Sequence, residues 1–321
     1  MLRIVFMGTP GFAVPTLEKL LDAGKQVVAV ITAPDRPAGR GQKIQYSEVK
    51  QCALKHGIPV LQPEKLKDPA FLETYRALQP DLNIVVAFRM LPETVWNFPP
   101  HGTINLHASL LPQYRGAAPI NWAIINGEKE TGLTTFFIEK EIDTGKIILQ
   151  QKMHIGDDEN AGELHDRMMH QGAEMVLKTV EMIENGEVRS IEQNQIIEND
   201  NIILKPAPKI FKDDCKINWK QSLTAIHNQI RGLSPYPSAF TILSGDNTSE
   251  IPLKIYKSSI RHFKNPEKPG TVGTDGKNSI WVNHPEGAIY LEELQLAGRK
   301  RLKAEEFIRG FPLLTGIWKV K

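Results

Sequence analysis

The first half of the 321-residue chain alternates short apolar runs with segments whose apolar residues recur at helical spacing. "LRIVFMG" and "QVVAVIT" read as buried strands, and "IPVLQ" as a short third one. Continuous apolar runs of this length fit strands covered on both faces. Between the first two lies "FAVPTLEKLLDAG", a helical pattern with Gly24 as its stop. "DLNIVVAF" and "GTINLHA" add two strands, each preceded by a helix-like segment, "PAFLETYRALQP" and "PETVWNF". Strands separated by helices predict an α/β fold, a Rossmann-like parallel sheet with helices on both faces, whose ligands bind beyond the carboxyl ends of the strands. Further on, "TGLTTFFIE" and "KIILQQKMHI" can pair across "KEIDTG", and a long amphipathic helix is expected from about Ala161 to Asn185.

The pattern then changes. "NIILKPAPKIFKDD" has the prolines and lysines of a linker, and one helical segment, "SLTAIHNQIRGL", follows it. After that come short β-rich runs separated by turns: "SAFTIL", "IPLKIYKSSIRH", "SIWVNH" and "AIYLEELQL". This predicts a small β-barrel, an OB-like barrel being one option. The expected boundary lies near residue 205, giving domains 1–204 and 205–321. Charge divides at the same place. Residues 205–321 carry 19 Lys and Arg against 11 Asp and Glu; of the totals of 39 and 37, that leaves 20 and 26 upstream. A basic C-terminal part points to a polyanionic partner, although inert surface charge accounts for the count equally well.

Composition excludes several classes. No run approaches the roughly 18 uninterrupted apolar residues of a membrane span, and the N-terminal apolar run breaks at Gly8. Cys52 and Cys215 lie far apart with no CxxC or other zinc-like spacing, as expected in a reducing, cytoplasmic setting. "MGTPGFA" is not a dinucleotide fingerprint, because Pro10 stands where a glycine should approach the pyrophosphate, and no GxxxxGK[ST] or HExxH occurs.

Candidate chemistry gathers elsewhere. In "INLHASLLP", Asn105 and His107 alternate with Ile104, Leu106 and Ala108. In a strand they share one face, roughly 7 Å apart, just before a loop. A half-exposed sheet face and a catalytic pair both fit. Asp143 in "EIDTGK" is a candidate carboxylate partner and equally an ordinary turn residue. "DRPAGRGQK" sets Arg36, Arg40 and Lys43 in a loop loosened by Gly39 and Gly41; phosphate binding and plain solvation both suit it, as they do Lys209 in the linker.

Taken together, Asn105-x-His107, the loop Ser109-Leu110-Leu111-Pro112, Asp143-x-Gly145 and "YRGAAPINWAIINGE" resemble the folate-dependent formyltransferases. Two further stretches resemble the members that act on charged initiator tRNA. "PDRPAGRG" is similar to the loop that engages the tRNA acceptor arm, with Arg40 at the position of its important arginine. "IRGLSPYPSAF" is similar to the segment opening their C-terminal OB-like domain. The resemblance implies formyl transfer from 10-formyltetrahydrofolate to the α-amine of methionine on initiator tRNA, by a cytoplasmic monomer that uses no metal. It implies catalytic roles for Asn105, His107 and Asp143. Folate contacts would come from Ser109, Leu110, Leu111, Pro112, Phe88 and Met90, and tRNA contacts from Arg36, Arg40, Lys43 and Lys209. One stretch departs from the family: "AFRMLP", Ala87 to Pro92, is one residue shorter than the usual "AYGxILP" and has Arg89 where a small residue is common. Alternative readings are a formyltransferase acting on an amino sugar nucleotide, a non-catalytic RNA-binding protein, and an oxidoreductase, the last weakened by Pro10.

Overall fold

The computed structural model describes residues 1–38, 43–200, 203–245, 250–264, 267–311 and 318–321. The chain forms two compact units, one of residues 1–116, 132–153 and 165–206, the other of 117–131, 154–164 and 207–321.

The first unit is built on a seven-stranded sheet. In chain order its elements are β1 (Ile4–Gly8), α1 (Val14–Asp22), β2 (Val27–Ile31), β3 (Arg36–Ala38), β4 (Lys43–Gln45), α2 (Glu48–Lys55), β5 (Val60–Leu61), α3 (Pro69–Ala77), β6 (Leu82–Val86), α4 (Glu93–Trp96) and β7 (Thr103–His107). The chain later returns with β8 (Glu130–Phe137), β9 (Ile147–His154), α6 (Ala161–Glu184) and α7 (Gln193–Asp200), α5 (Pro119–Ile125) lying in between. Strand order is β5-β2-β1-β6-β7-β8-β9, and β3 and β4 form a separate antiparallel ribbon. The first five strands are parallel as expected, whereas β8 runs antiparallel to β7. The sheet is therefore mixed: β8 and β9 are neighbouring strands joined only by the turn at 138–146, and the first of them enters reversed.

Side chains paired across adjacent strands point to the same face. Leu106 pairs with Thr135, and both face α6: Thr135 Oγ1 lies 2.8 Å from Thr179 Oγ1, and a Cβ on Gly172 would come within 2.5 Å of Leu106 Cδ2. α1 shares that face, its Lys19 Nζ donating to Glu174 of α6 at 2.5 Å. Asn105, paired with Val85 and Phe136, points to the other face. There α3 and α4 close over Val5, Met7, Ile31 and Val85 with Phe71, Tyr75 and Val95.

A buried polar network fixes β7 beside β6. Asn83 and Thr103 are register partners. Asn83 Nδ2 donates to Tyr75 Oη (2.8 Å) and Thr103 Oγ1 (3.1 Å); Tyr75 Oη donates to the Val95 carbonyl (3.1 Å), and Thr103 Oγ1 to that of Trp96 (2.6 Å). Tyr75 and Asn83 are fully buried, so each bond replaces water that is not there. Burial accordingly pushes the Tyr75 phenol far above its ordinary range.

The second unit contains α5, then α8 (Leu223–Gly232), β10 (Ala239–Gly245), β11 (Ile251–His262), β12 (Val272–Thr274), β13 (Ile280–His284), β14 (Gly287–Leu296), β15 (Leu302–Lys303), α9 (Ala304–Gly310) and β16 (Trp318–Val320). The strands follow the order β12-β13-β14-β11-β10-β16. A bridge between Thr271 and Lys319, with Val320 N donating to the Gly270 carbonyl at 2.9 Å, brings the last strand back to the first and nearly closes an antiparallel barrel. Ile226, Ile230 and Leu233 of the α8 region pack on Leu253, Ile255 and Leu291 inside it. Arg231 is buried and satisfied, Nε donating to Asn228 Oδ1 and Nη1 to the Glu159 carbonyl, both at 2.9 Å.

Four helices lie outside the sequence reading: α2, α5, α7 and α9. Each has only seven or eight residues, too few turns to set up a clear period. The segment "PETVWNF" gives a single turn, α4, and the region read as an open loop forms the β3–β4 ribbon on either side of 39–42.

Tyr75→Phe should lower the unfolding free energy by about 1–3 kcal/mol, since it takes the hydroxyl partner from the buried Asn83 amide, while the Val95 carbonyl keeps its bond from Asn83 Nδ2. Denaturant unfolding at unchanged m-value measures this; parent-like stability would show that the network does not hold β7 in place.

Candidate active site

The site lies where β7 ends. His107 is 6% exposed and its ring is fixed on one side, with Nε2 2.8 Å from the Tyr114 carbonyl oxygen. A carbonyl only accepts, so Nε2 carries the hydrogen and Nδ1 is the nitrogen left for other work. Nδ1 lies 3.8 Å from Asp143 Oδ2. Phe136 stands edge-on to the imidazole at 6.4 Å between centroids.

Asp143 reaches this position from the turn between β8 and β9. Its φ of +54° is in the left-handed region, which costs a non-glycine residue free energy and needs local support. Gln193, 1% exposed at the start of α7, supplies it. Its Nε2 donates to the Asp143 carbonyl (2.9 Å) and the Gly145 carbonyl (2.8 Å). Its Oε1 accepts from Arg115 Nε (3.0 Å) and Nη2 (2.7 Å), so every polar atom of a buried amide is used. The carboxylate is held as well, Gly116 N donating to Oδ2 at 2.9 Å. The spacing Asp143-x-Gly145 has its own steric reason: a Cβ at Gly145 would lie 1.7 Å from the Phe137 carbonyl oxygen. Burial lowers the Arg115 guanidinium from its usual value, and the charges of Asp143 and Glu141 act in the opposite sense.

The Ser-Leu-Leu-Pro loop is turned largely inward. Ser109, Leu111 and Pro112 are buried and Leu110 is half-buried. Ser109 Oγ donates to the Gln113 carbonyl at 2.6 Å. Thr134 Oγ1 donates to the Ser109 carbonyl (2.7 Å) and accepts from Leu111 N (3.2 Å), and Gln150 Nε2 donates to the Leu111 carbonyl (2.7 Å). The loop thus forms a rigid wall on β8 and β9, with the Ser109 hydroxyl already engaged.

The segment after β6 is more open. Phe88 is half-buried and Met90 is 71% exposed. Arg89 turns back, Nη1 donating to the Glu64 carbonyl at 2.9 Å and Nη2 to that of Pro63. Its side chain is therefore tied to the segment after β5. A cavity of about 470 Å³ opens there, lined by Lys65, Lys67, Arg89, Met90, Trp96 and Lys140 among others.

Of the basic residues, Arg36 is exposed on β3 and Lys43 opens β4, while Arg40 lies outside the described residues. The ribbon's approach is anchored at Asp35, which accepts from Lys50 Nζ (2.5 Å) and Gln62 Nε2 (2.8 Å); these bonds, Lys50's first, hold its carboxyl below the usual range. Lys209, in the other unit, is exposed, with Nζ 5.5 Å from the centroid of Phe211.

The fold brings Asn105, His107 and Asp143 to one end of the sheet and adds four groups that sequence reasoning missed: the Tyr114 carbonyl, Arg115, the Gly116 amide and Gln193. The first three lie in or beside "YRGAAP", whose resemblance to the family was the only signal for them. Nothing in the sequence singles out Gln193, 50 residues beyond Asp143.

Comparison with known proteins defines the class to which the chain belongs. The formyl transferase family matches residues 2–180, and its C-terminal domain matches residues 209–312. The chain belongs to the formyl transferase family. It is 53% identical over 320 residues to the methionyl-tRNA formyltransferase of Bacteroides fragilis, covering 100% of this chain and 98% of that one. It is 50% identical over 309 residues to the methionyl-tRNA formyltransferase of Flavobacterium johnsoniae, covering 96% of each. A solved structure of WlaRD, a sugar 3N-formyl transferase crystallised with dTDP and 5-N-formyl-THF, has the same fold at a TM-score of 0.64 and 24% identity, over 94% of this chain and 99% of that one. Among the described residues no helix is long and apolar enough to cross a membrane.

Gln193→Ala should release the turn around Asp143. Amide hydrogen exchange across 139–146 should accelerate by about 10-fold or more, as expected for loss of roughly 1–3 kcal/mol of local stability. Exchange as slow as in the parent would mean that the β8–β9 turn holds itself.

Proposed function

We propose that this protein transfers the formyl group of 10-formyltetrahydrofolate to the α-amine of methionine on initiator tRNA, and that Asn105, His107 and Asp143 carry the chemistry. The observation behind the reaction is the approach of Asp143 to the free nitrogen of His107 from 36 residues away. Full-length likeness to methionyl-tRNA formyltransferases, C-terminal domain included, supports the acceptor.

The amine nitrogen attacks the formyl carbon, and the formyl oxygen gains the negative charge. The Asn105 amide does not act as an acid or base, so it serves by donating an N–H hydrogen bond to that oxygen. His107 reaches the reaction only through Nδ1, because Nε2 is held by the Tyr114 carbonyl. With a second proton on the ring, Nδ1–H is a charged donor to the oxyanion, and Asp143 completes an ion pair beside it. The attacking nitrogen loses a proton as the new C–N bond forms. Folate N10 accepts one as its own bond to the formyl carbon breaks. Asp143, directly or through water, relays the proton between them.

The folate seat is assigned to the segments following β6 and β7. Leu110, Phe88 and Met90 offer apolar surface, and Ser109, Leu111 and Pro112 contribute backbone and rigidity. Arg36, Arg40, Lys43 and Lys209 are assigned to tRNA, together with the basic chain from residue 205 onward, which forms the C-terminal part of a two-domain enzyme. The working form is a single chain in the cytoplasm. An acceptor of the amino-sugar nucleotide class would leave that basic surface unused.

Asn105→Ala and His107→Ala should each lower kcat by about 100- to 1000-fold, matching the loss of one oxyanion donor, with little change in folate affinity. Asp143→Asn should lower kcat and alter its pH profile. Near-parent kcat in the first two, or a parent-like profile in the third, would remove those residues from these roles. Formyl transfer should be seen with initiator methionyl-tRNA and be much weaker with the elongator species or an amino-sugar nucleotide. The KM for tRNA should rise steeply with salt if many phosphates are neutralised, and a flat salt response would contradict a tRNA-binding basic surface.

A further inference from the structure

Away from the active site, α1 and α2 pack together and bring three metal-ligating side chains into one cluster. Glu18 is half-buried on α1; Cys52 is buried on α2, and His56 is exposed at its C-terminal cap. The carboxylate, thiol and imidazole donor atoms all lie within 4.8 Å of one another. Such a grouping of three occurs nowhere else among the described residues.

The placement has a simple origin. Cys52 and His56 are four residues apart, which puts both side chains on one face of α2 and its C-terminal cap. Val49, Cys52 and Ala53 form the apolar stripe that faces inward, so Cys52 sits at the margin of the helix contact and His56 continues that margin to the surface. Glu18 adjoins Leu17, which is buried from the α1 side. The spacing Cys-x-x-x-His is not one of the usual zinc patterns, and the third donor comes from another helix 34 residues upstream. Sequence inspection therefore passes over it.

We infer that Glu18, Cys52 and His56 form a binding site for a thiolate- and imidazole-preferring divalent metal ion, of which Zn²⁺ is the best match. Thiolate and imidazole ligands discriminate against Mg²⁺ and Ca²⁺, which take oxygen donors, and three protein ligands plus water make a four-coordinate shell. Around tetrahedral zinc, donor atoms stand about 3.5 Å apart, so side-chain shifts on the order of 1 Å convert the present cluster into a coordination shell. Burial, and then the charge of Glu18, raise the Cys52 thiol above its ordinary value, while Lys55 acts in the opposite direction and Asp22 in the same one. Metal entry therefore displaces a proton from sulfur and couples binding to the packing of α1 on α2. The ion takes no part in formyl transfer; it would pin two helices of the catalytic unit together.

The test is a titration of the metal-free full chain with Co²⁺, read by absorbance. One equivalent should produce the near-ultraviolet thiolate-to-cobalt charge-transfer band, and Zn²⁺ should abolish it by displacement. Cys52→Ser should lose the band; His56→Ala, a change at an exposed position, should weaken Co²⁺ binding by about 10-fold or more; and Cys215→Ser should behave as the parent. In parallel, Zn²⁺ should raise the Tm of the parent but not that of His56→Ala. No band with excess Co²⁺, or a band and Tm shift unchanged in His56→Ala, would overturn the proposal.

Discussion

A turn that the backbone does not favour by itself underlies the arrangement of the site. Asp143 sits at φ +54° in a position where its carboxylate faces His107, and the free energy of that conformation is offset by hydrogen bonds from elsewhere in the chain. Gln193 binds the carbonyls of Asp143 and Gly145 while accepting two bonds from Arg115, and the Gly116 amide holds the carboxylate. Three segments, 114–116, 139–145 and the start of α7, are thus tied into one structure. The same loop supplies the Tyr114 carbonyl that orients the imidazole. The turn fixes the position of the carboxylate, and the 114–116 segment tied to it fixes which histidine nitrogen remains free.

The sheet supplies the other half of the geometry. β7 lies between β6 and β8, its Leu106 side sealed by α6 and its Asn105 side at the margin of the layer under α3 and α4. The Tyr75–Asn83–Thr103 network allows only one register of β6 against β7, since a slip would strand buried polar groups. A fixed register gives a fixed height for Asn105 and His107 above the end of the sheet. The Ser-Leu-Leu-Pro loop, bonded to Thr134 and Gln150, forms a rigid wall on one side, while the stretch from Phe88 to Met90 remains accessible on the other. The constellation is thus rigid and bordered by one open segment.

Much of this is legible in the residues. Apolar runs and their alternation place β1, β2, β6 and β7, the β8–β9 pair and the long α6, and the change of pattern after residue 200 announces a β-rich second part. Alternation in "INLHA" puts Asn105 and His107 on one face without any structure. Legibility fails where a feature depends on few residues or distant ones. α2, α5, α7 and α9 are too short for a clear period, and the reversal of β8 is not written in its composition. Asp143 reads equally as a turn residue and as a carboxylate partner for His107 because one geometry serves both: the turn at φ +54° is the means by which the carboxylate is presented to the imidazole. Gln193, an amide in a polar stretch, offers no local hint of its role.

Sequence alone determined which residue types are available and which side of each strand they occupy, because side-chain alternation and helical period are local properties of the backbone. It also determined, through Asn105-x-His107, Asp143-x-Gly145 and the family resemblance, which reaction to expect. Tertiary structure alone decided that Asp143 meets Nδ1 of His107, that Nε2 is already committed to a carbonyl, that Arg89 turns away to the Pro63 and Glu64 carbonyls, and that Glu18 joins Cys52 and His56. Each of these joins side chains to groups on another segment of the chain. Such distances are set by the packing of the whole sheet and its helices, and no local pattern contains them.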